Sequence, residues 1–355
     1  MKTKVKALLN EIFIEGLSGM ATGLFATLIV GTILTQVGSL IPGVVGNYLF
    51  VIGKVASSVT GAGIGVGVAV RFKESPLVTI SAATCGMMGA FASKVIAGTV
   101  FVDGVIHYAG PGEPLGAFIA ALASIYVGRA VSGKTKVDIL ITPLCSITAG
   151  SVVGLILGPP ISGFMAFLGN LINIGTQQQP FLMGILVSVL MGIILTLPIS
   201  SAALGVILNL SGLAAGAATV GCCANMVGFA VASYRENKVN GLLAQGLGTS
   251  MLQIGNIVKK PIIWLPAIIT SAILGPVSTC ILGMTNNATG SGMGTAGLVG
   301  QITTYQVMAA EGNGMIVLAK IIVLHFVLPA LFSLGISEFM RKKGWIQEGD
   351  MKLNV

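Results

Sequence analysis

Between Ile139 and Tyr234 the chain contains no Asp, Glu, Lys, Arg or His. Soluble domains carry a charge at about 25% of their positions, so an uncharged stretch of this length is expected to lie in a nonpolar environment. Over the whole chain, 54% of the residues are hydrophobic and 8% are charged, and the mean hydropathy is +0.95. The sequence therefore predicts an integral membrane protein.

The pattern of apolar residues predicts an all-α polytopic membrane protein. The apolar runs are continuous and not alternating, which favours helices over a β-barrel, and 50 glycines suit helices that pack closely. A helix needs about 20 apolar residues to cross a bilayer. Ten stretches meet or approach that length: 13–37, 44–70, 77–102, 115–127, 139–157, 181–197, 201–218, 220–234, 262–284 and 315–336.

The basic residues fall where this arrangement predicts cytoplasmic loops. The N-terminal segment lacks a small-residue cleavage site after a short apolar region and runs on into a full span, so it is interpreted as retained. With a cytoplasmic N-terminus, the opposite side receives Asp103, Glu113 and Glu311 and no basic residue. Lys and Arg in short loops set orientation, so both termini are predicted to be cytoplasmic. The net charge of +8 then reflects loops facing anionic lipid and not nucleic-acid binding.

Two polar, glycine-rich segments, 242–257 and 285–301, interrupt the apolar pattern. Irregular backbone can lie at membrane depth only where it is buried in protein or lines a wet cavity. Interrupted half-segments of this kind indicate the substrate site of a transporter. We therefore predict two re-entrant hairpins that enter from opposite faces and meet near the midplane. A third segment, 161–176, has an amphipathic pattern and is expected to lie in the interface.

The candidate substrate-binding residues share amide or hydroxyl groups without charge. Such groups donate and accept hydrogen bonds, which suits a polyhydroxylated or otherwise neutral polar solute. The alternative role is interhelical hydrogen bonding, which contributes about 0.6 kcal/mol on average. That structural role is favoured for any single residue, and solute binding for the cluster. The candidates are Asn209, Thr249, Ser250, Gln253, Asn256, Asn286 and Asn287.

Lys54 is added to the candidates because it lies well inside the second predicted span. A charge inside the membrane usually pairs with another charge or lines a water path. Lys54 is therefore expected either to contact an anionic group of the substrate or to pair with Glu15.

No metal or cofactor is predicted. The five cysteines lie in apolar segments, and none has metal-ligand spacing with a histidine. Residues 128–135, GRAVSGKT, have the spacing of a GxxxxGK[ST] nucleotide loop, but they follow a predicted membrane span and not a strand, which is the context that such a loop requires. Energy or regulation is therefore expected to come from a gradient, from the substrate or from a separate polypeptide.

The stretches GPPISGFMAFLGNLINIG and GTSMLQIGNIVKKPIIWLPAIITSAILGPVSTCILGM resemble enzyme IIC, the membrane component of the bacterial sugar phosphotransferase system. Within it they are most similar to the stand-alone group that includes the perfringolysin regulator. The resemblance covers residues 158–300 and implies ten spans, two re-entrant hairpins and a bacterial cytoplasmic membrane. It also implies an N-terminal region (1–157) that forms a homodimer and a C-terminal region (158–355) with one sugar site per protomer.

The chain departs from the phosphorylating members of that family at two places. Thr249 stands where the resemblance leads us to expect a Glu, and Ser250 follows where a Pro is expected. Ser200 or Ser201 stands in place of an expected His. Phosphoryl transfer to a sugar hydroxyl needs a base, which a hydroxyl group cannot provide unaided. No catalytic residue is assigned, and the absence of enzymatic activity is favoured.

These observations favour a transporter that moves a small polar solute, a sugar or a sugar derivative, by alternating access without phosphorylating it. One alternative is a membrane-embedded ligand sensor or regulator that acts through a cytoplasmic partner. The other is a phosphotransferase-system permease that works with separate IIA and IIB proteins.

Overall fold

The computed structural model describes residues 8–108, 110–176, 178–310 and 312–353. Lys2, Lys4 and Lys6, on the side predicted to be cytoplasmic, and Glu311, on the opposite side, lie outside these ranges. The chain divides into two compact units, Met1–Phe164 and Met165–Val355. The division falls a few residues after the limit of 157 that the sequence suggested, inside one long helix.

The first unit consists mainly of apolar helices. Two of them, α2 and α3, form a pair bent by 56°, and a short antiparallel hairpin connects two others. The elements are α1 (Leu8–Leu40), α2 (Val44–Ser58), α3 (Thr60–Arg71), α4 (Pro76–Ala90), α5 (Ala92–Ile96), β1 (Phe101–Val102), β2 (Val105–Ile106), α6 (Pro114–Val131) and α7 (Asp138–Thr176), which continues into the second unit.

An ion pair joins α1 to α3. Arg71 Nε donates to Glu15 Oε2 at 2.6 Å. The expected pairing of Glu15 with Lys54 is therefore corrected, because Arg71 at the end of α3 occupies the carboxylate.

The second unit contains apolar helices and several short, irregular ones. Its helices are α8 (Pro180–Thr196), α9 (Ser201–Ile207), α10 (Gly212–Ala232), α11 (Tyr234–Leu243), α12 (Ile254–Lys259), α13 (Pro261–Ile281), α14 (Ala288–Ser291), α15 (Val299–Ala309) and α16 (Gly314–Lys342).

Among the described residues, six helices are long and apolar enough to cross a membrane, or seven if the bent pair α2–α3 is one span. The shorter helices α4 and α8 are also apolar. The structure therefore agrees with an all-α polytopic membrane protein. The count of ten spans stays a prediction.

Two segment boundaries differ from the sequence expectation. The expected spans 201–218 and 220–234 are replaced by the short helix α9 and the long helix α10. Positive φ angles at Asn209 (48°) and Gly212 (56°) turn the chain between them, and such angles end a right-handed helix. The segment 161–176, expected as a separate interfacial helix, is the continuation of α7. Pro159 and Pro160 lie inside this helix without ending it.

Small residues allow close helix packing in both units. A Cβ atom on Gly184 of α8 would lie 2.8 Å from the carbonyl of Gly275 on α13, and one on Gly89 of α4 would overlap the carbonyl of Gly116 on α6. A real Cβ atom cannot approach so closely. Glycine is therefore required at these crossings, as expected for helices that associate in a membrane.

The second unit is built around α10, whose side chains are almost all buried. Helix α8 runs parallel to it, because Ser188 lies against Gly221 and Thr196, further along α8, bonds Asn225. Helix α13 runs antiparallel, because Ala267 lies near Gly228 and Ser271, further along α13, donates to the earlier Gly221 carbonyl. Because α8 and α10 are consecutive long helices that run in the same direction, the segment that connects them must run in the opposite direction. Residues 197–211, including α9, make this return to the start of α10.

Candidate functional site

The first hairpin follows α10 and folds back along its C-terminal end. It consists of α11, a turn at Ala244–Gly248, a second turn at Ser250–Gln253, and α12. Gly246 lies beside Ala230 of α10. The chain reverses at Thr249, which is extended (φ −161°, ψ 141°) and whose hydroxyl accepts from the Met251 N–H at 3.2 Å. The predicted segment 242–257 is therefore broken helix, not a continuous span.

The second hairpin approaches α10 from the opposite, N-terminal end. The Asn286 N–H donates to the Gly212 carbonyl at 3.2 Å, and Gly294, further along, lies against Cys222. Asn287 begins the short helix α14, since its side chain accepts from the Gly290 N–H at 3.0 Å. This hairpin comprises residues 285–301, so the predicted second re-entrant segment is also broken helix.

The tips of the two hairpins lie side by side next to the C-terminal half of α10. The turn Ala244–Gly248 of the first hairpin contacts the turn Ala296–Leu298 of the second. Thr295 of the second tip donates to Met226 Sδ at 3.5 Å. Met226 is next to Asn225 in α10, and Ser250 of the first hairpin is linked to Asn225 through Thr196. Two broken elements that enter from opposite ends therefore meet within one turn of the same helix.

An uncharged hydrogen-bond network surrounds the first tip. Ser250 Oγ lies 2.7 Å from Thr196 Oγ1, and Thr196 donates to Asn225 Oδ1 at 3.2 Å. Trp264 Nε1 donates to the same oxygen at 2.9 Å, and Asn225 Nδ2 donates to Ser271 Oγ at 3.1 Å. The network joins α8, α10 and α13 to the hairpin. Thr196, Trp264 and Ser271 were missed from the sequence, where the only signal is a polar group inside an apolar helix.

A second row of amides lies nearer the C-terminal end of α10. Asn256 Nδ2 donates to Gln253 Oε1 at 2.8 Å, and Gln253 Nε2 donates to Gln245 Oε1 at 2.8 Å. Gln245 Nε2 donates in turn to Ser233 Oγ at 2.9 Å. The structure therefore brings the candidates Thr249, Ser250, Gln253 and Asn256 together in one hairpin.

The second tip has polar groups of its own. Asn286 is buried, and its Nδ2 donates to Thr219 Oγ1 at 2.8 Å. Gln301 Nε2 lies 3.3 Å from Cys223 Sγ and 3.2 Å from His325 Nδ1. Gln301 was not among the predicted site residues, because it lies at the last position of the predicted segment.

Three buried side-chain oxygen atoms of α13 and α15 have no hydrogen-bond partner among the described residues. They are Gln301 Oε1, Thr304 Oγ1 and Ser278 Oγ. An unsatisfied buried polar atom costs about 1–3 kcal/mol, so native structures keep few of them without a reason. The hydrogen-bonding capacity of these three atoms is therefore unused among the described residues.

The other two candidates, Asn209 and Lys54, are not part of this hydrogen-bonded arrangement. Asn209 is exposed in the turn before α10. Lys54 belongs to the first unit, where its side chain is exposed and its Nζ lies 5.2 Å from the centroid of the Phe50 ring. A role for either residue in solute binding stays a prediction.

The hydroxyl groups of Thr249, at the position of the expected acid, and of Ser201, one of the two residues in place of the expected histidine, are engaged with backbone. Thr249 caps the following turn as described, and Ser201 Oγ donates to the Gly292 carbonyl at 2.7 Å. In the part of the chain that the structure describes, no group of three His, Cys, Asp or Glu residues is placed to hold a metal ion.

Residues 14–353 match the family model described as "Phosphotransferase system, EIIC". No curated protein is similar enough to count as a relative. The family model covers nearly the whole chain, including both hairpins and α10. The chain therefore belongs to the EIIC family, and it is a multi-pass membrane component of the sugar-transporter type.

Proposed function

We propose that the protein is a membrane transporter that binds a small, uncharged polar solute, a sugar or a sugar derivative, where the two hairpin tips meet. The observation that carries the proposal is the contact between the turns Ala244–Gly248 and Ala296–Leu298 beside the C-terminal half of α10. The side chains of this region supply amides and hydroxyls and no charge. Sugar hydroxyls both donate and accept hydrogen bonds, so they match this set of groups.

The absence of positive charge among the tip residues favours a neutral solute over a phosphorylated one. Phosphate and carboxylate groups are usually recognised by Arg or Lys, and neither hairpin tip carries one between 241 and 258 or between 284 and 301. The unpartnered oxygens of Gln301 and Thr304 accept hydrogen bonds from solute hydroxyls in this proposal.

The opposite entry of the two hairpins supports alternating access. Each hairpin covers the tip region from one end of α10, so movement of either one opens the site to one side. This is the arrangement expected of a site shared by two gates.

We also propose ten crossings with both termini in the cytoplasm of a bacterial cell. Residues 197–211 run back along α10 and supply one of these crossings. It is not found by helix length, because α9 is short. A homodimer formed by the first unit, implied by the family resemblance, is part of the same proposal. Labelling of single cysteines near each terminus in intact cells and in inverted vesicles tests the topology, since labelling from outside would contradict it.

A phosphotransferase-system permease is the second candidate, and family membership favours it. It requires a base for the sugar hydroxyl, whereas the Thr249 and Ser201 hydroxyls are used for backbone contacts. Phosphorylated sugar that appears only when separate IIA and IIB proteins and a phosphate donor are added would establish this candidate.

Binding and uptake should be measured on the same purified protein. A thermal-shift screen against hexoses, disaccharides, N-acetylated sugars and sugar acids is expected to find at least one neutral sugar that binds saturably. Proteoliposomes are expected to take up that sugar unmodified. Binding without uptake would point to a ligand sensor, and the absence of binding by any of these solutes would contradict the proposed site.

A further inference from the structure

The residues after α16 form a strap, 344–353, that folds back over the first hairpin. Gly344 has a φ of 74°, and the Trp345 N–H donates to the Met340 carbonyl while the Gly344 N–H donates to that of Arg341. This pair of bonds is the Schellman motif, which ends a helix and reverses the chain. The reversal sends the strap toward the C-terminal end of α10.

Two apolar side chains anchor the strap. Ile346 and Met351 are 2% and 0% exposed. They belong to one buried cluster with Phe229 of α10, Ile257 of α12 and Ile263 of α13. The strap is therefore packed into the unit and does not lie loosely on its surface.

The strap also uses the amide donors of the first hairpin. The Met351 carbonyl accepts from Gln253 Nε2 at 2.9 Å, and the Lys352 carbonyl accepts from Asn256 Nδ2 at 2.9 Å. Lys260, directly after the hairpin, forms an ion pair with Asp350 at 2.6 Å. Main-chain carbonyls of the strap thus occupy donors that sequence reasoning assigned to a solute.

We propose that the strap is a latch that closes the first hairpin on the side of the C-terminal end of α10. While it is in place, Gln253 and Asn256 donate to the strap, and the cluster around Ile257 is covered. Release of the strap frees both amides and lets the hairpin move away from α10. The meaning of this movement for solute passage rests on the proposed function, whereas the latch itself does not.

The ion pair makes the latch adjustable. Lys260 and Asp350 keep 32% and 19% of their side-chain surface exposed, so water and salt reach the pair and weaken it. The apolar anchors, in contrast, are sealed from solvent. Loss of the ion pair is therefore expected to loosen the strap partly, and loss of an anchor to release it.

Accessibility of position 257 tests the latch without any solute. The variant Ile257→Cys, in a background with Cys145→Ser and Cys280→Ser, is treated with a membrane-impermeant maleimide in detergent solution. The introduced thiol is expected to react slowly. Adding Met351→Ser should raise its rate of labelling about tenfold and adding Asp350→Asn severalfold, while Glu348→Gln, which changes an exposed carboxylate of the same strap, should leave the rate unchanged.

The native thiols of Cys222 and Cys223, both fully buried in α10, report on unfolding. They must stay unlabelled for an increase at position 257 to support the latch. Equal labelling rates in Ile257→Cys with and without Asp350→Asn and Met351→Ser would overturn it. That result would leave sugar binding untouched, and a failure to find a bound sugar would leave the labelling result untouched, so the two proposals fail separately.

Discussion

Thr196 Oγ1 and Ser250 Oγ lie 2.7 Å apart, and this contact ties the tip of the first hairpin to the end of α8. Both residues are buried, and Asn225 of α10 continues the network. The position of the tip therefore depends on polar contacts inside an otherwise apolar unit.

Asn225 is expected to be the residue on which this network depends most. Asn225→Ala removes bonds to Thr196, Trp264 and Ser271 and leaves the indole N–H without its acceptor. Unsatisfied buried groups cost about 1–3 kcal/mol, so we expect the free energy of unfolding to fall by about 2 kcal/mol. Denaturation in mixed detergent micelles measures it. Asn240→Ala, at an exposed position, serves as the control and should change stability by less than about 0.5 kcal/mol.

Gly294 is expected to be required for the second tip to reach α10. Gly294 and Gly283 both have positive φ angles, of 53° and 56°, but only Gly294 has neighbours, with a built Cβ 2.8 Å from Cys222 Cβ. Gly283→Ala therefore introduces backbone strain alone, about 1–2 kcal/mol. Gly294→Ala adds overpacking of about 1–3 kcal/mol and should displace the tip.

The comparison of these two variants isolates the contact with α10. Thermal unfolding should show a larger loss for Gly294→Ala, and sugar binding should be lost in that variant alone. Equal losses in stability would show that the tip does not pack against Cys222 as described.

The buried ion pair between Arg341 and Glu236 is expected to be sensitive to removal of one partner. Their side chains are 8% and 2% exposed. Glu236→Gln leaves the guanidinium group buried without a counter-charge, which typically costs about 3–5 kcal/mol. Glu338→Gln breaks the more exposed pair with Arg235 (30% and 63% exposed) and should cost at most about 1 kcal/mol.

Unfolding midpoints of the two variants, measured in the same detergent, check this prediction. A midpoint for Glu236→Gln no lower than that for Glu338→Gln would contradict the buried pair.

Composition and apolar run length were enough to predict a polytopic helical membrane protein, because the cost of exposing polar backbone in lipid leaves few alternatives. They were not enough to place the boundary between α9 and α10. Residues 201–234 are apolar almost throughout, and the break depends on the backbone angles of Asn209 and Gly212, which hydropathy does not report.

The two hairpins could be predicted from their glycine and amide content, and Ser250, Gln253 and Asn286 lie in them as expected. The residues of neighbouring helices that join the hydrogen-bond network of the first hairpin could not be predicted from the sequence. Thr196 and Ser271 lie in ordinary apolar helices, and only the packing of three helices brings them to Asn225. The strap was missed for a similar reason, since a short polar segment gives no sign that two of its apolar residues are buried.

The central claim is that both hairpins contribute to one solute site, and affinity measurements on one variant from each hairpin test it most directly. Ser250→Val and Gln301→Leu should each weaken binding of the same neutral sugar by about tenfold, or roughly 1.4 kcal/mol, in isothermal titration of purified protein. Asn240→Ala should bind as the unmodified protein does. Unchanged affinity in either the Ser250→Val or the Gln301→Leu variant would contradict a site shared by the two tips.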